Sequence, residues 1–163
     1  MESSSRARSV LGRRSVLRLF AAVPAAAALT AACSSAPDEP DPLLALAAAA
    51  KSDAQLAKAI AQSHPELADA ANEIATARSA HADAMQREID RLAPRDPKDP
   101  PSVPVPAPKQ APGSANAAAK TLRDALTGAQ DAAAKLVPGL PPYRAGLAGS
   151  VSASCASLRE VLG

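Results

Sequence analysis

A chain of 163 residues suggests one domain, and this one has a single Tyr, a single Phe and no Trp, so it lacks the aromatic platforms on which single-stranded nucleic acids stack. Five of its 18 basic residues but only one of its 16 acidic residues precede Cys33, which leaves 13 basic against 15 acidic residues beyond that point, a net −2. That mildly acidic remainder contains no basic block and gives no electrostatic case for nucleic acid.

Residues 1–18 are rich in Ser and Arg, and residues 19–32, LFAAVPAAAALTAA, form a weakly apolar run. A membrane-spanning helix needs about 20 apolar residues; this run holds 14 and contains Pro24. A basic head, a short apolar middle and small residues at the end predict a signal peptide over 1–32. Within it, GRRSVLR (12–18) resembles the twin-arginine export motif, with Arg13 and Arg14 as the pair read by the translocon. LTAAC (29–33) resembles a bacterial lipobox. That resemblance implies a diacylglyceryl thioether on Cys33 and cleavage just before it. The cysteine is the nucleophile as its thiolate, and the small residues before it fit the peptidase. The membrane is then the expected partner, reached through the lipid on Cys33, and the protein is expected at the extracytoplasmic face of the cell membrane. The alternatives are an Ala-rich membrane anchor or a chance Ala-Ala-Cys. One acyl chain binds a membrane marginally, whereas two or more hold a protein there stably. SSAPDEPDP (34–42) follows, and 33–42 is expected to be a flexible tether.

Leu43, Leu46, Ala50, Ala57 and Ile60 recur at helical spacing and predict an amphipathic helix over 43–62. SHPE (63–66) breaks it. Ser63 and Glu66 have the spacing of a capping box, and Pro65 suits the first turn of a new helix. Leu67, Ala71, Ile74, His81, Met85 and Leu92 stripe that helix over about 65–93. A single kinked helix is the alternative. Residues 94–113 hold eight prolines and exclude helix or central strand. Ser114 is placed to cap a third helix over 115–137, striped by Ala115, Ala119, Leu122, Leu126, Ala129, Ala133 and Leu136. VPGLPP (137–142) turns the chain. Tyr143, Leu147, Val151, Leu158 and Leu162 stripe a fourth helix over 142–162, and Gly146, Ser150 and Ser154 form a row of small residues beside them.

The expected fold is therefore all-α, a four-helix bundle over 43–163 with no strand pattern competing. A helix over 65–93 is roughly 43 Å long at 1.5 Å per residue. Twenty residues of polyproline-type chain reach roughly 62 Å. The linker can thus return along the whole bundle and let helices two and three lie parallel; an up-down connection would not need so long a linker, though the linker does not forbid it. Two helical hairpins joined by one long Pro-rich crossover is the ferritin-like arrangement. The succession of lipobox, hairpin, Pro-rich linker and second hairpin resembles the Ala-rich ferritin-like lipoproteins of actinobacteria. The resemblance is carried most by PPYRAGLAGSVSASCASLREVL (141–162), and next by IATARSAHADAMQREIDRL (74–92). It implies a fold and an envelope location and no particular activity.

Ferritin-like di-iron proteins place a Glu on each of two helices and a Glu-x-x-His on each of the other two. Here the motif before His81 is Arg78-x-x-His81, so a cation stands in a ligand's position. The fourth helix has no His, and its only carboxylate, Glu160, is near its end; the third has Asp124 and Asp131 but no Glu. No cofactor and no catalytic set are expected, and Asp53, His81 and Glu88 remain only as weak metal-ligand candidates. Asp53 and Arg78 are a candidate buried ion pair, with a half-exposed pair at the bundle edge as the plainer reading. His64, before Pro65, is expected to be solvated. If Cys33 carries lipid, Cys155 is left as a lone thiol packing as a small hydrophobe. The function these features favour is a lipid-anchored envelope protein that binds or scaffolds, with an unknown envelope protein as partner, no nucleic acid and no enzymatic activity. The alternatives are an atypical metal-binding protein or enzyme, and a carrier of an apolar ligand.

Overall fold

The computed structural model describes residues 40–163. Arg13, Arg14 and Cys33 lie outside the described residues. Four helices account for most of the described chain, and it contains no strand: α1 (Leu43–Ser63), α2 (Ala68–Leu92), α3 (Ala115–Leu136) and α4 (Pro142–Glu160). Among the described residues no helix is long and apolar enough to cross a membrane.

Each boundary has a local cause. The Asp41 carboxylate accepts the Leu43 N–H (2.8 Å), one of the donors a helix start leaves unpaired. α1 runs through Ser63 and stops at His64, whose backbone is extended (φ −131°, ψ 86°) because the residue before a proline is pushed out of the helical region. The break therefore sits one residue later than a Ser63–Glu66 capping box requires, and no side chain caps this end. Pro65–Leu67 form one 3-10 turn before α2. The Ser114 hydroxyl accepts the Ala117 N–H (3.3 Å) and caps α3. Pro142 occupies the first turn of α4, where its missing N–H costs nothing.

α1 packs on α2 and α3 on α4, each pair an antiparallel hairpin, while α1 also touches α3 and α2 touches α4. His64, at the end of α1, donates from Nε2 to the Pro112 carbonyl (2.7 Å), just before α3 begins. At the opposite end Arg144, at the start of α4, meets both Asp41 before α1 and Glu88 near the end of α2. These ties make α2 and α3 parallel, so the chain between them returns along the full length of the bundle. The core is formed by Leu43, Leu46, Ile60, Ile74, Met85, Leu122, Leu126, Val151 and Leu158, with Ala filling the close approaches between helices.

The returning linker lies along the groove between α1 and α2. Lys51 donates to the Gln86 amide oxygen (2.7 Å) and to the Val103 carbonyl (2.8 Å). The Val103 side chain is fully buried in the core. Val105 and Pro106 line a cleft with Lys51, Gln55, Ala82 and Asp83. His64 is thus not solvated: its bond to Pro112 seats it under the end of the linker, and it is buried.

α4 departs from the expected stripe. Its buried face is Arg144, Ala148, Val151, Cys155 and Leu158, and Tyr143 is 72% exposed. Arg144 turns inward because two carboxylates await it there. Gly146 has nothing within 4 Å of where a Cβ would stand, and Gly146 and Ser150 are exposed, so the row of small residues faces away from the bundle.

Candidate functional site

Among the described residues the most deeply buried cation lies at the middle of the first hairpin. Arg78 on α2 is only 1% exposed. Burying a guanidinium is costly unless its donors are met and its charge is paired. Its Nε (3.2 Å) and Nη2 (2.8 Å) both donate to Asp53 Oδ2 on α1. Its Nη1 donates to His81 Nδ1, one turn along α2 (3.3 Å), and to Cys155 Sγ on α4 (3.4 Å). One side chain therefore joins three helices. The ion pair lies inside the bundle and not at its edge, because Asp53 and Arg78 face each other at one height across the first hairpin.

Each neighbour is tuned by this arrangement. Burial pushes the Asp53 carboxyl above the usual carboxylate range, and the adjacent Arg78 charge only partly opposes it. Burial, followed by repulsion from Arg78, lowers His81 to about 4, so the ring is neutral at pH 7. Because Nδ1 accepts from Arg78, the His81 proton resides on Nε2. Burial raises the Cys155 thiol, outweighing the opposing pull of Arg78. A buried thiol with a raised pKa is a poor nucleophile. In the folded protein Cys155 should therefore react with a water-soluble thiol reagent at least about 100-fold more slowly than in denaturant. Comparable rates in the two conditions would contradict its burial.

Glu88 belongs to a separate cluster. It lies seven residues beyond His81, about 10 Å along the helix. Its carboxylate accepts Arg91 Nε (2.8 Å) and Nη2 (2.9 Å), and these bonds hold it below the usual carboxylate range. Arg144 Nε approaches the same carboxylate at 3.7 Å, while Arg144 Nη2 donates to Asp41. The three weak metal-ligand candidates are thus not brought together: Asp53 and His81 face Arg78, and Glu88 faces Arg91 and Arg144. Among the described residues no group of three or more His, Cys, Asp or Glu side chains is placed to hold a metal ion.

Two participants escaped the sequence reading, Cys155 as a partner of Arg78 and Arg144 as a buried cation. The signal for both was the spacing Arg144–Ala148–Val151–Cys155–Leu158, an unbroken alternation of four and three that marks one face of a helix. Chemically, the centre is a fixed guanidinium that holds a carboxylate, an imidazole and a thiol in place. Its hydrogen bonds engage the groups that would otherwise serve as base, ligand or nucleophile. No protein-family model, no curated protein and no solved structure matches this chain.

Proposed function

We propose that the chain is a lipid-anchored cell-envelope protein whose helical bundle works by binding or scaffolding and not by catalysis. In this reading the twin-arginine pair Arg13 and Arg14 directs export, the leader is cut before Cys33, and lipid on Cys33 holds the bundle at the extracytoplasmic face of the membrane. The observation that carries it is LTAAC (29–33), set between a short apolar run with a basic head and a polar, Pro-containing tether. The bundle starts at Leu43, directly after that tether. A ferritin-like arrangement is supported by the parallel run of α2 and α3 with one long crossover between them. A non-catalytic role is supported by Arg78, whose hydrogen bonds engage the interior polar groups.

Cys33→Ser tests the anchor. The variant should either accumulate with its leader uncut or leave the membrane fraction. A processed Cys33→Ser protein that still needs detergent for extraction would refute lipidation. A second reading, an atypical metal site, draws on the convergence of oxygen, nitrogen and sulfur donors around Arg78. Stoichiometric iron or manganese in protein purified from its own envelope, lost on His81→Ala, would favour it over the first.

A further inference from the structure

We infer that the end of the bundle where α1 begins and α2 stops lies flat on an anionic phospholipid surface, with Tyr143, Leu92, Arg87 and Arg91 as its contact residues. The inference rests on the proposed lipid on Cys33. Asp41 is eight residues after Cys33, at most about 29 Å of extended chain. The anchored chain enters the bundle at this end, because Asp41 is bonded there to Arg144. A short tether leaves this end close to the bilayer and the opposite end, at Pro65 and Ser114, a helix length away.

The chemistry of this end fits an interface between lipid and water. Tyr143 is 72% exposed and Leu92 is 51% exposed, and both lie at this end. A tyrosine joins an apolar ring to a polar hydroxyl and settles at the headgroup level of a membrane. Tyr143 lines a cleft of about 170 Å³ with Arg87, Arg91, Glu88, Ala84 and Leu147. Arg87 is exposed, and the Arg91 side chain is 61% exposed. Two carboxylates near them are covered: Glu88 is 4% exposed and bound to Arg91, and Asp41 is 20% exposed and bound to Arg144, while Asp96 and Asp99 in the linker beyond α2 are exposed. The cleft at Tyr143 therefore presents guanidinium groups outward while its own carboxylate, Glu88, faces in. Arginine beside an aromatic ring is a receptor for a phosphodiester.

Tyr143 is the chain's only tyrosine and there is no tryptophan, so intrinsic emission reports this one position. Protein purified from its own envelope would be reconstituted into phosphatidylcholine vesicles containing some phosphatidylglycerol, with a nitroxide on the lipid headgroups. Flotation with the vesicles measures anchoring, and quenching of Tyr143 by the nitroxide measures docking. The expected result is flotation with strong quenching and protection from acrylamide. Arg87→Glu, or vesicles without phosphatidylglycerol, should lower the docking equilibrium at least about fivefold, the factor that about 1 kcal/mol for a single arginine sets. Flotation with Tyr143 untouched by the nitroxide and open to acrylamide would overturn the inference and leave the anchor standing. Quenching that ignores both Arg87→Glu and lipid charge would overturn the role given to the arginines. Failure to float would remove the anchor itself, and the inference with it.

Discussion

Replacing Arg78 by Met should destabilise the bundle by about 3–5 kcal/mol, the cost of removing one partner from a buried ion pair. For a domain of this size that lowers Tm by about 12–20 °C. The loss is not one of apolar packing, since Met fills much of the same volume. It arises because the Asp53 carboxylate stays in the interior with its cationic hydrogen-bond partner Arg78 gone, and His81 Nδ1 and Cys155 Sγ lose their donor. The double variant Asp53→Leu/Arg78→Met removes both charges. It should recover most of the stability, because replacing a buried pair by apolar groups is often close to neutral. The coupling between the two positions should be at least about 2 kcal/mol, measured by urea denaturation of all four proteins. The Arg78→Met penalty should also shrink at lower pH, where Asp53 is readily protonated. If Arg78→Met lost less than about 1 kcal/mol, the pair would be behaving like an exposed one.

The second large effect is acid sensitivity. His81 is lowered from 6.5 to about 4 by burial and by Arg78, so the folded protein holds this ring neutral where the unfolded chain would protonate it. Between these two values the unfolded state binds more protons, and stability rises with pH. The contribution is fully present above pH 6.5 and is lost as pH falls toward 4. The ring is partly solvated, and screening reduces the effect to about 2 kcal/mol. Asp53, raised by burial, acts with the opposite sign, its stabilising protonated form being favoured in acid. His81→Gln should flatten the dependence between pH 6.5 and 4.5 while leaving stability at pH 7 within about 1 kcal/mol of the parent. Denaturation midpoints for the two proteins at several pH values would check this. Parallel curves would show that another group titrates there.

Much of the fold was legible because it rests on periodic features. Leucine, isoleucine and alanine at spacings of three and four placed the helices, and eight prolines placed the crossover. The Asp53–Arg78 height match was legible for the same reason, since counting residues from a hairpin turn fixes height. What was not legible depended on partners far along the chain. Arg144 goes inside and Tyr143 outside because Asp41 and Glu88, 103 and 56 residues away, wait at that position. Val103 sits alone among prolines, where no period marks it as core, yet Lys51 holds its carbonyl and the side chain is sealed. His64 beside a proline has the composition of a solvated turn, and only the return of the linker covers it. Apolar periodicity identifies surfaces that avoid water. It does not identify a polar group whose partner comes from another element.

The seating of the crossover also bears on which chain each hairpin joins. Two hairpins on a tether long enough to span the bundle are free, in principle, to exchange with a second molecule, each hairpin closing on its neighbour's counterpart. Exchange of this kind requires the connecting segment to leave its own bundle. Here Lys51 and His64 grip the backbone at Val103 and Pro112, and Val103 fills a place in the core. The length that would permit partner exchange is taken up along the chain's own α1–α2 groove. The second hairpin is thereby delivered to its own first hairpin at high local concentration. The proline segment thus favours closure of the two hairpins within one chain.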